Sequence, residues 1–266
     1  MAFLKDITLG QYFPGDSFLH RLDPRSKLLA SLALMTSLLI STKLSLILLQ
    51  SAAVLVTIWL TKIPMTMIAK SLKWFLWLFL ITFAIHVLEV SIGSVFPFLS
   101  FGVRAAGIMN GAIYTLRLGL LIVTASLLTL TTSPIELTDS LERLFSPLKR
   151  LRVPVHELAL MMTLSLRFIP ILIREAERIK NAQLSRGASL EGNLLQRIRN
   201  LVPMLLPLFI SAIRRADDLA VAMEARCYAG GEGRTCFHRF AFGVGDVGLL
   251  LFSGAWFFGI LVVNYG

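Results

Sequence analysis

Apolar residues are strung along this chain in long runs separated by short polar stretches. The first run, 26-SKLLASLALMTSLLIST-42, is followed after a single lysine, Lys43, by 44-LSLILLQSAAVLVTIWLTK-62. A membrane-crossing helix needs roughly 20 such residues, and so short a connection predicts an antiparallel hairpin. A third run covers about 73–90, KWFLWLFLITFAIHVLEV, with Trp74 and Trp77 placed as interfacial anchors. The Gly- and Pro-containing 91-SIGSVFPFLSFGVR-104 reads as a loop or a re-entrant piece. A fourth run covers about 105–130 and a last one about 245–264.

Between the fourth and last runs the pattern changes. After Pro134, IELTDSLERLFSPLKRL reads as a short amphipathic helix. One long helix is then expected over 155–186 and a second over about 202–226, each apolar at its start and charged at its end. Their apolar stretches, 158–173 and 201–213, contain Arg167 and Pro170, and Pro203 and Pro207. Runs that short belong more often to buried or interfacial helices than to spans. Glu175 with Arg178, and Glu177 with Lys180, share a helical face. Gly187 is placed to cap the first long helix, and 229-AGGEGRT-235 ends the second. The expected fold is an all-α integral membrane protein with about five transmembrane helices and a module of long cytoplasmic or interfacial helices. The expected division is an N-terminal membrane region over 1–131, a helical module over 132–240 and a C-terminal transmembrane helix within 241–266.

Composition agrees and adds direction. The chain is 56% hydrophobic and 16% charged, against ~45–50% and ~25% for soluble domains. Its net charge of +10 needs no nucleic acid to explain it, because Lys and Arg accumulate in cytoplasmic segments. Sixteen of the 26 lie in 132–240, which places that segment in the cytoplasm. Four preceding spans then put the N-terminus inside as well, in agreement with His20, Arg21, Arg25 and Lys27. Lys62, Lys70 and Lys73 mark a second inner loop, while the outer loops carry only Lys43 and Arg104. The C-terminus ends outside. Asp23 is placed to N-cap a helix that starts at Pro24, with Arg25 and Lys27 at the inner membrane surface. The N-terminus lacks the apolar core and cleavage site of a signal peptide.

Candidate chemistry is sparse. Cys227 and Cys236 form no C-x-x-C, and the four His form no evident metal set. GGEGRT lacks the phosphate-cradling P-loop spacing, and His156-Glu157 is followed by Leu160 where a zinc-binding H-E-x-x-H needs His. Asp217-Asp218 lie in a charged helix and read as solvated or paired. At membrane depth, away from the ends of the runs, the ionisable residues are Arg117, with His86 and Glu89 near an outer end. No catalytic residue, metal or cofactor is expected. A membrane enzyme acting on lipid-linked substrates and a self-contained carrier are the competing function classes.

The most specific local pattern is a repeated one. Ala182 precedes Arg186 by one helical turn, and Ala222 precedes Arg226 by the same interval. A small residue lets a partner approach closely, and the Arg beyond it offers a permanent charge with a planar donor fork. A cation at a helix C-terminus is also favourable by itself, by ~0.3–1 kcal/mol, so capping alone accounts for either site taken singly.

Three longer stretches resemble a known family. They are 22-LDPRSKLLA-30, 161-MMTLSLRFIPILIREAERIKNAQLSRGA-188 and 203-PMLLPLFISAIRRADDLAVAMEARCYAGGEGRT-235. In order and length they are similar to the transmembrane T component of energy-coupling factor (ECF) transporters. The resemblance implies two cytoplasmic ABC ATPases and a substrate-binding membrane S component as partners, within the cell membrane and for uptake of vitamins or other micronutrients. A dedicated cobalt or nickel T component is the nearest alternative. It further implies that Ser185-Arg186-Gly187 and Ala225-Arg226-Cys227 end coupling helices that dock on the ATPases. The sequence departs at Cys227, where the simplest form of the motif has Gly.

Overall fold

The computed structural model describes residues 17–87, 105–187, 193–230 and 242–265, with Phe13 and Gly15. Glu89, the 91–104 connection, residues 231–235 of the Gly-rich stretch, Cys236 and Arg239 lie outside the described residues. Every regular element among the described residues is helical: α1 (Pro24–Ile40), α2 (Leu44–Thr61), α3 (Met65–Trp74), α4 (Leu76–Val87), α5 (Ala105–Thr131), α6 (Pro134–Leu144), a 3-10 turn (Ser146–Leu151), α7 (Val155–Ser185), α8 (Leu194–Glu224) and α9 (Val244–Tyr265). They fall into two compact units, one of residues 10–137 with 239–266 and one of 138–238.

The helix ends follow local chemistry. The Asp23 carboxylate accepts from the Arg25 N–H at 2.9 Å, with Pro24 in the first turn, so the expected cap of α1 is present. At α6, Ser133 and Glu136 form a reciprocal capping box with Pro134 between them. Asn193 and Gln196 do the same for α8. That second box starts α8 eight residues before the expected 202, and the helix then runs unbroken through Pro203 and Pro207.

The third span differs most from expectation. The run 73–90 is not one helix: α3 and α4 meet at Phe75 with a 60° bend. α3 is amphipathic and carries Lys70 and Lys73, which disfavour its entry into hydrocarbon, whereas LWLFLITFAIHV of α4 is apolar all round. The direction therefore changes where the polar positions stop. Trp74 and Trp77 flank the bend and are 82% and 72% exposed, as ring anchors at a lipid–water boundary should be.

By length and composition, α2, α5 from Gly107, α7 and α9 are each able to cross a membrane, and the α3–α4 pair counts as one further broken span. α1 has 17 residues, about 26 Å of helix against a hydrocarbon core of about 30 Å. α7 was expected to stay out of the bilayer on account of Arg167, Pro170 and the shortness of its apolar run. The helix is continuous through both residues, so its length does not oppose a crossing.

Within the first unit, contacts at both ends fix helix directions. At one end, the Asp23 N–H (2.7 Å) and Ser26 hydroxyl (2.8 Å) donate to Asp246 of α9. At the other, Thr42 donates to Asn264 through its N–H (3.0 Å) and hydroxyl (2.8 Å), and the Lys43 ammonium donates to the Val263 carbonyl at 2.6 Å. α1 and α9 are therefore parallel. α5 runs against them, since the Lys27 ammonium reaches the Thr131 carbonyl (3.4 Å) and the Arg117 guanidinium reaches the Ser41 carbonyl. Hence the chain leaves α5 and re-enters α9 on one side of this unit. Gly107 and Gly111 let α5 lie close to α4: a Cβ on Gly107 would sit 3.0 Å from the His86 carbonyl. Leu38, Ile47, Val54, Ile58, Leu120, Val123 and Leu127 form the core. A buried polar patch pins the α1–α2 hairpin, where Gln50 donates to the Ser37 hydroxyl at 2.9 Å and accepts from Ser41 at 3.2 Å.

Lys27 corrects the expectation of a surface charge. It is only 5% exposed and points inward, donating to the carbonyls of His20 (3.0 Å) and Thr131. Carbonyls left over at a helix junction are served better by an internal ammonium than by lipid headgroups. Arg25 stacks over the Phe242 ring at 5.5 Å and lies 3.9 Å from the Asp23 carboxylate.

Candidate functional site

The second unit holds both Ala-x-x-x-Arg sites. α7 and α8 each have 31 residues, about 46 Å of helix. Tyr228, just past α8, contacts His156 at the start of α7 (3.3 Å), and Arg215 of α8 pairs with Glu175 further along α7 (3.6 Å). The helices are therefore antiparallel, and their C-terminal tips lie at opposite ends of the pair. Glu175 was read from sequence as a same-face partner of Arg178; its ion pair in the structure is with Arg215 across the helices.

The tips share a local geometry. At the end of α7, the Arg186 N–H donates to the carbonyls of Ala182 (3.3 Å) and Gln183 (3.1 Å), and Gly187 turns the chain at φ +85°. Ser185 caps back onto the Asn181 carbonyl at 3.0 Å. At the end of α8, Ala225 stays helical, the Arg226 N–H donates to the Met223 carbonyl (3.1 Å) and the Cys227 N–H to that of Glu224 (2.9 Å). The Tyr228 N–H then reaches back to Met223 at 3.0 Å, the wide bond of a Schellman ending. Cys227 occupies the left-handed region at φ +57°. The departure from Gly at this position leaves the backbone turn intact, at a strain cost of about 1 kcal/mol. Ala182, Ser185, Arg186, Gly187, Ala222, Ala225, Arg226 and Cys227 are all exposed. The structure thus builds two like tips and does not bring them together.

Between the tips lie uncovered apolar faces. Val202, Leu205, Leu206, Phe209, Ile210 and Ile213 recur at helical spacing along α8, and each is at least 43% exposed. Leu158, Met161, Met162 and Ile169 recur likewise on α7, each at least 36% exposed. Where the helices meet, Leu164, Phe168, Leu172, Ala216 and Leu219 help to line an apolar trough of about 620 Å3. Contiguous exposed apolar surface on this scale marks contact with protein or lipid.

Two features escaped the sequence reading. Asp246 accepts three hydrogen bonds, from Asp23, Ser26 and the Gly243 N–H (2.9 Å), and is 4% exposed. Its only local signal is an acid in the first turn of an apolar helix. His156 joins Glu142 of α6 through Nδ1 (2.8 Å) to Tyr228 through Nε2. Arg117, of unassigned orientation in the sequence, faces inward to Ser41, with its guanidinium 5.2 Å from the Tyr114 ring. Asp23, Pro24, Arg25 and Lys27 belong to the other unit and serve the α1 cap and the α1–α9 junction there.

A family model described as cobalt transport protein, CbiQ, matches residues 15–236. The chain is 47% identical over 245 residues to the energy-coupling factor transporter transmembrane protein EcfT of Acidaminococcus fermentans, covering 91% of each. It is 50% identical over 235 residues to the protein of that name from Clostridium kluyveri, covering 87% of each. To that of Bacillus subtilis it is 41% identical over 238 residues, covering 89% of this chain and 90% of the relative.

Proposed function

This chain belongs to the CbiQ and EcfT family of transporter transmembrane proteins, and on that premise we propose that it is the coupling subunit of an ECF transporter. In this reading it hydrolyses no ATP itself. Two cytoplasmic ABC ATPases dock at Arg186 and Arg226, and a separate membrane S component that binds a vitamin or other micronutrient rests on the apolar faces of α7 and α8. The observation that carries the reading is the pair of like tips, each an exposed Arg followed by a left-handed residue, at opposite ends of one antiparallel helix pair. Closure of an ATPase dimer moves two sockets towards each other. Helices that end in those sockets and pack on one another convert that movement into a shift of whatever lies on their apolar sides.

The N-terminus and 132–240 lie in the cytoplasm in this arrangement, and the C-terminus outside. Parallel α1 and α9 support it, because the charged 132–240 segment then starts and ends on one side. α7 lies along the inner surface with α8, held there by Arg174 and Lys180. The proposed division remains a membrane region over 1–131, a coupling module over 132–240 and a terminal span within 241–266. A dedicated cobalt or nickel component is the second reading, favoured by the description of the matching family model. Purification of the chain from detergent with its cognate ATPase pair and S component tests the proposal. A stable complex of all four proteins is expected; a chain that purifies alone under conditions that keep it folded contradicts it.

A further inference from the structure

The tip of α8 is furnished differently from that of α7, although the two sequences look alike. Tyr228 follows Arg226 by two residues and is tied by its hydroxyl to His156, which Glu142 orients from α6. With Nδ1 directed at the carboxylate, Nε2 is left facing the Tyr228 hydroxyl. The turn Arg226–Gly230 is thereby held against the N-terminal half of α7. There it closes a cavity of about 650 Å3 whose lining includes Thr163, Arg167, Arg226 and Tyr228, with Leu160, Leu164, Leu219 and Met223 as the apolar wall.

Two arginines thus line one space, and none of its lining residues among those described is acidic. Like charges sharing a partly apolar cavity repel, and an anion between them reverses the sign. The apolar wall lowers the local dielectric and strengthens such a contact. At the other tip, Arg186 stands eleven residues beyond Glu175, about 16 Å of helix. A Cβ added to the adjacent Gly187 would meet nothing within 4 Å among the described residues.

We propose that the α8 tip is a two-cation socket in which Arg167 joins Arg226, and that its occupant is an acidic segment of one ATPase presenting paired carboxylates. The α7 tip takes a single carboxylate through Arg186. The inference rests on the docking reading above and adds that the two docking sites are chemically unequal, so the partner surfaces differ in charge.

Binding of the purified cognate ATPase pair to this chain in nanodiscs, measured over a range of salt, tests the idea. The variants are R167Q, R167K and, as a cation of α7 outside the cavity, R178Q. R167Q should weaken binding roughly tenfold, about 1.4 kcal/mol, and flatten the salt dependence, because one cation fewer is neutralised. R167K should restore most of the affinity, and R178Q should bind like wild type. R167Q that binds within twofold of wild type, or that loses affinity only in anionic-lipid nanodiscs and not in zwitterionic ones, overturns the proposal; in the latter case Arg167 serves a lipid phosphate. Wild-type protein that binds no ATPase overturns the docking reading itself, a different result from normal binding by R167Q.

Discussion

Asp246→Ala should be among the most damaging single changes outside the coupling module. The Asp246 side chain accepts from the Asp23 N–H at 2.7 Å, the Ser26 hydroxyl at 2.8 Å and the Gly243 N–H at 2.9 Å. Asp23, Ser26 and Asp246 are all under 5% exposed, so water does not replace the lost acceptor. Each buried donor left unmatched costs about 1–3 kcal/mol. Ser26 retains its bond to the Asp23 carbonyl at 2.7 Å, which softens its share. A total near 3 kcal/mol follows, counting the buried Asp23 N–H as fully orphaned and a partial loss at Ser26, while the exposed Gly243 N–H turns to water. At about 2–4 °C per kcal/mol for a chain of this size, the melting temperature in detergent should fall by roughly 6–12 °C. Asp246→Asn keeps an acceptor for Asp23 and Ser26 but sets an amide donor against the Gly243 N–H, so its loss should be about half as large. Scanning fluorimetry of the purified proteins at matched detergent reads both. A fall of less than about 2 °C for the alanine variant would refute the view that this carboxyl group joins α1 to α9.

Further outcomes are expected elsewhere. Cys227→Gly should stabilise the end of α8 by about 1 kcal/mol, because glycine adopts φ +57° without strain; slower hydrogen exchange at Arg226–Tyr228 is the readout. Arg117→Met should cost about 1–3 kcal/mol by removing the donor to the Ser41 carbonyl, seen as a lower melting temperature that Arg117→Lys restores in part. Pro203→Ala with Pro207→Ala should raise thermal stability, each by up to about 3 kcal/mol, since both prolines lie inside α8. Polar replacement of Leu205 and Phe209, 59% and 64% exposed, should leave folding unchanged within about 0.5 kcal/mol while abolishing retention of the S component.

Local signals carried much of the fold. The α1 cap at Asp23-Pro24, the hairpin at Lys43 and the glycine turn after Arg186 each depend on neighbours in sequence, and each stands where the residues place it. The run across α3 and α4 was misread because a hydropathy window averages Lys73 with the apolar residues after it. Only the three-dimensional amphipathicity of α3 shows why the chain bends at Phe75. Lys27 and Asp246 were opaque for another reason. Their partners lie 104 and 220 or more residues away, and a flanking charge at a span end looks the same whether it faces lipid or protein. The tips were legible as motifs, yet their opposed placement was not, since antiparallel pairing of α7 with α8 is a tertiary fact read from Tyr228–His156 and Arg215–Glu175.

The central claim is that Arg186 and Arg226 carry force from ATPases into the membrane. ATP-driven substrate uptake by proteoliposomes containing the whole complex tests it most directly, with ATP hydrolysis recorded alongside for wild type, Arg186→Ala, Arg226→Ala and the double variant. Each single variant should bind the ATPases more weakly, and the double variant should either lose them or hydrolyse ATP without uptake. Uptake and hydrolysis that stay coupled at wild-type levels in the double variant would contradict the claim and leave the two arginines as ordinary caps of their helices.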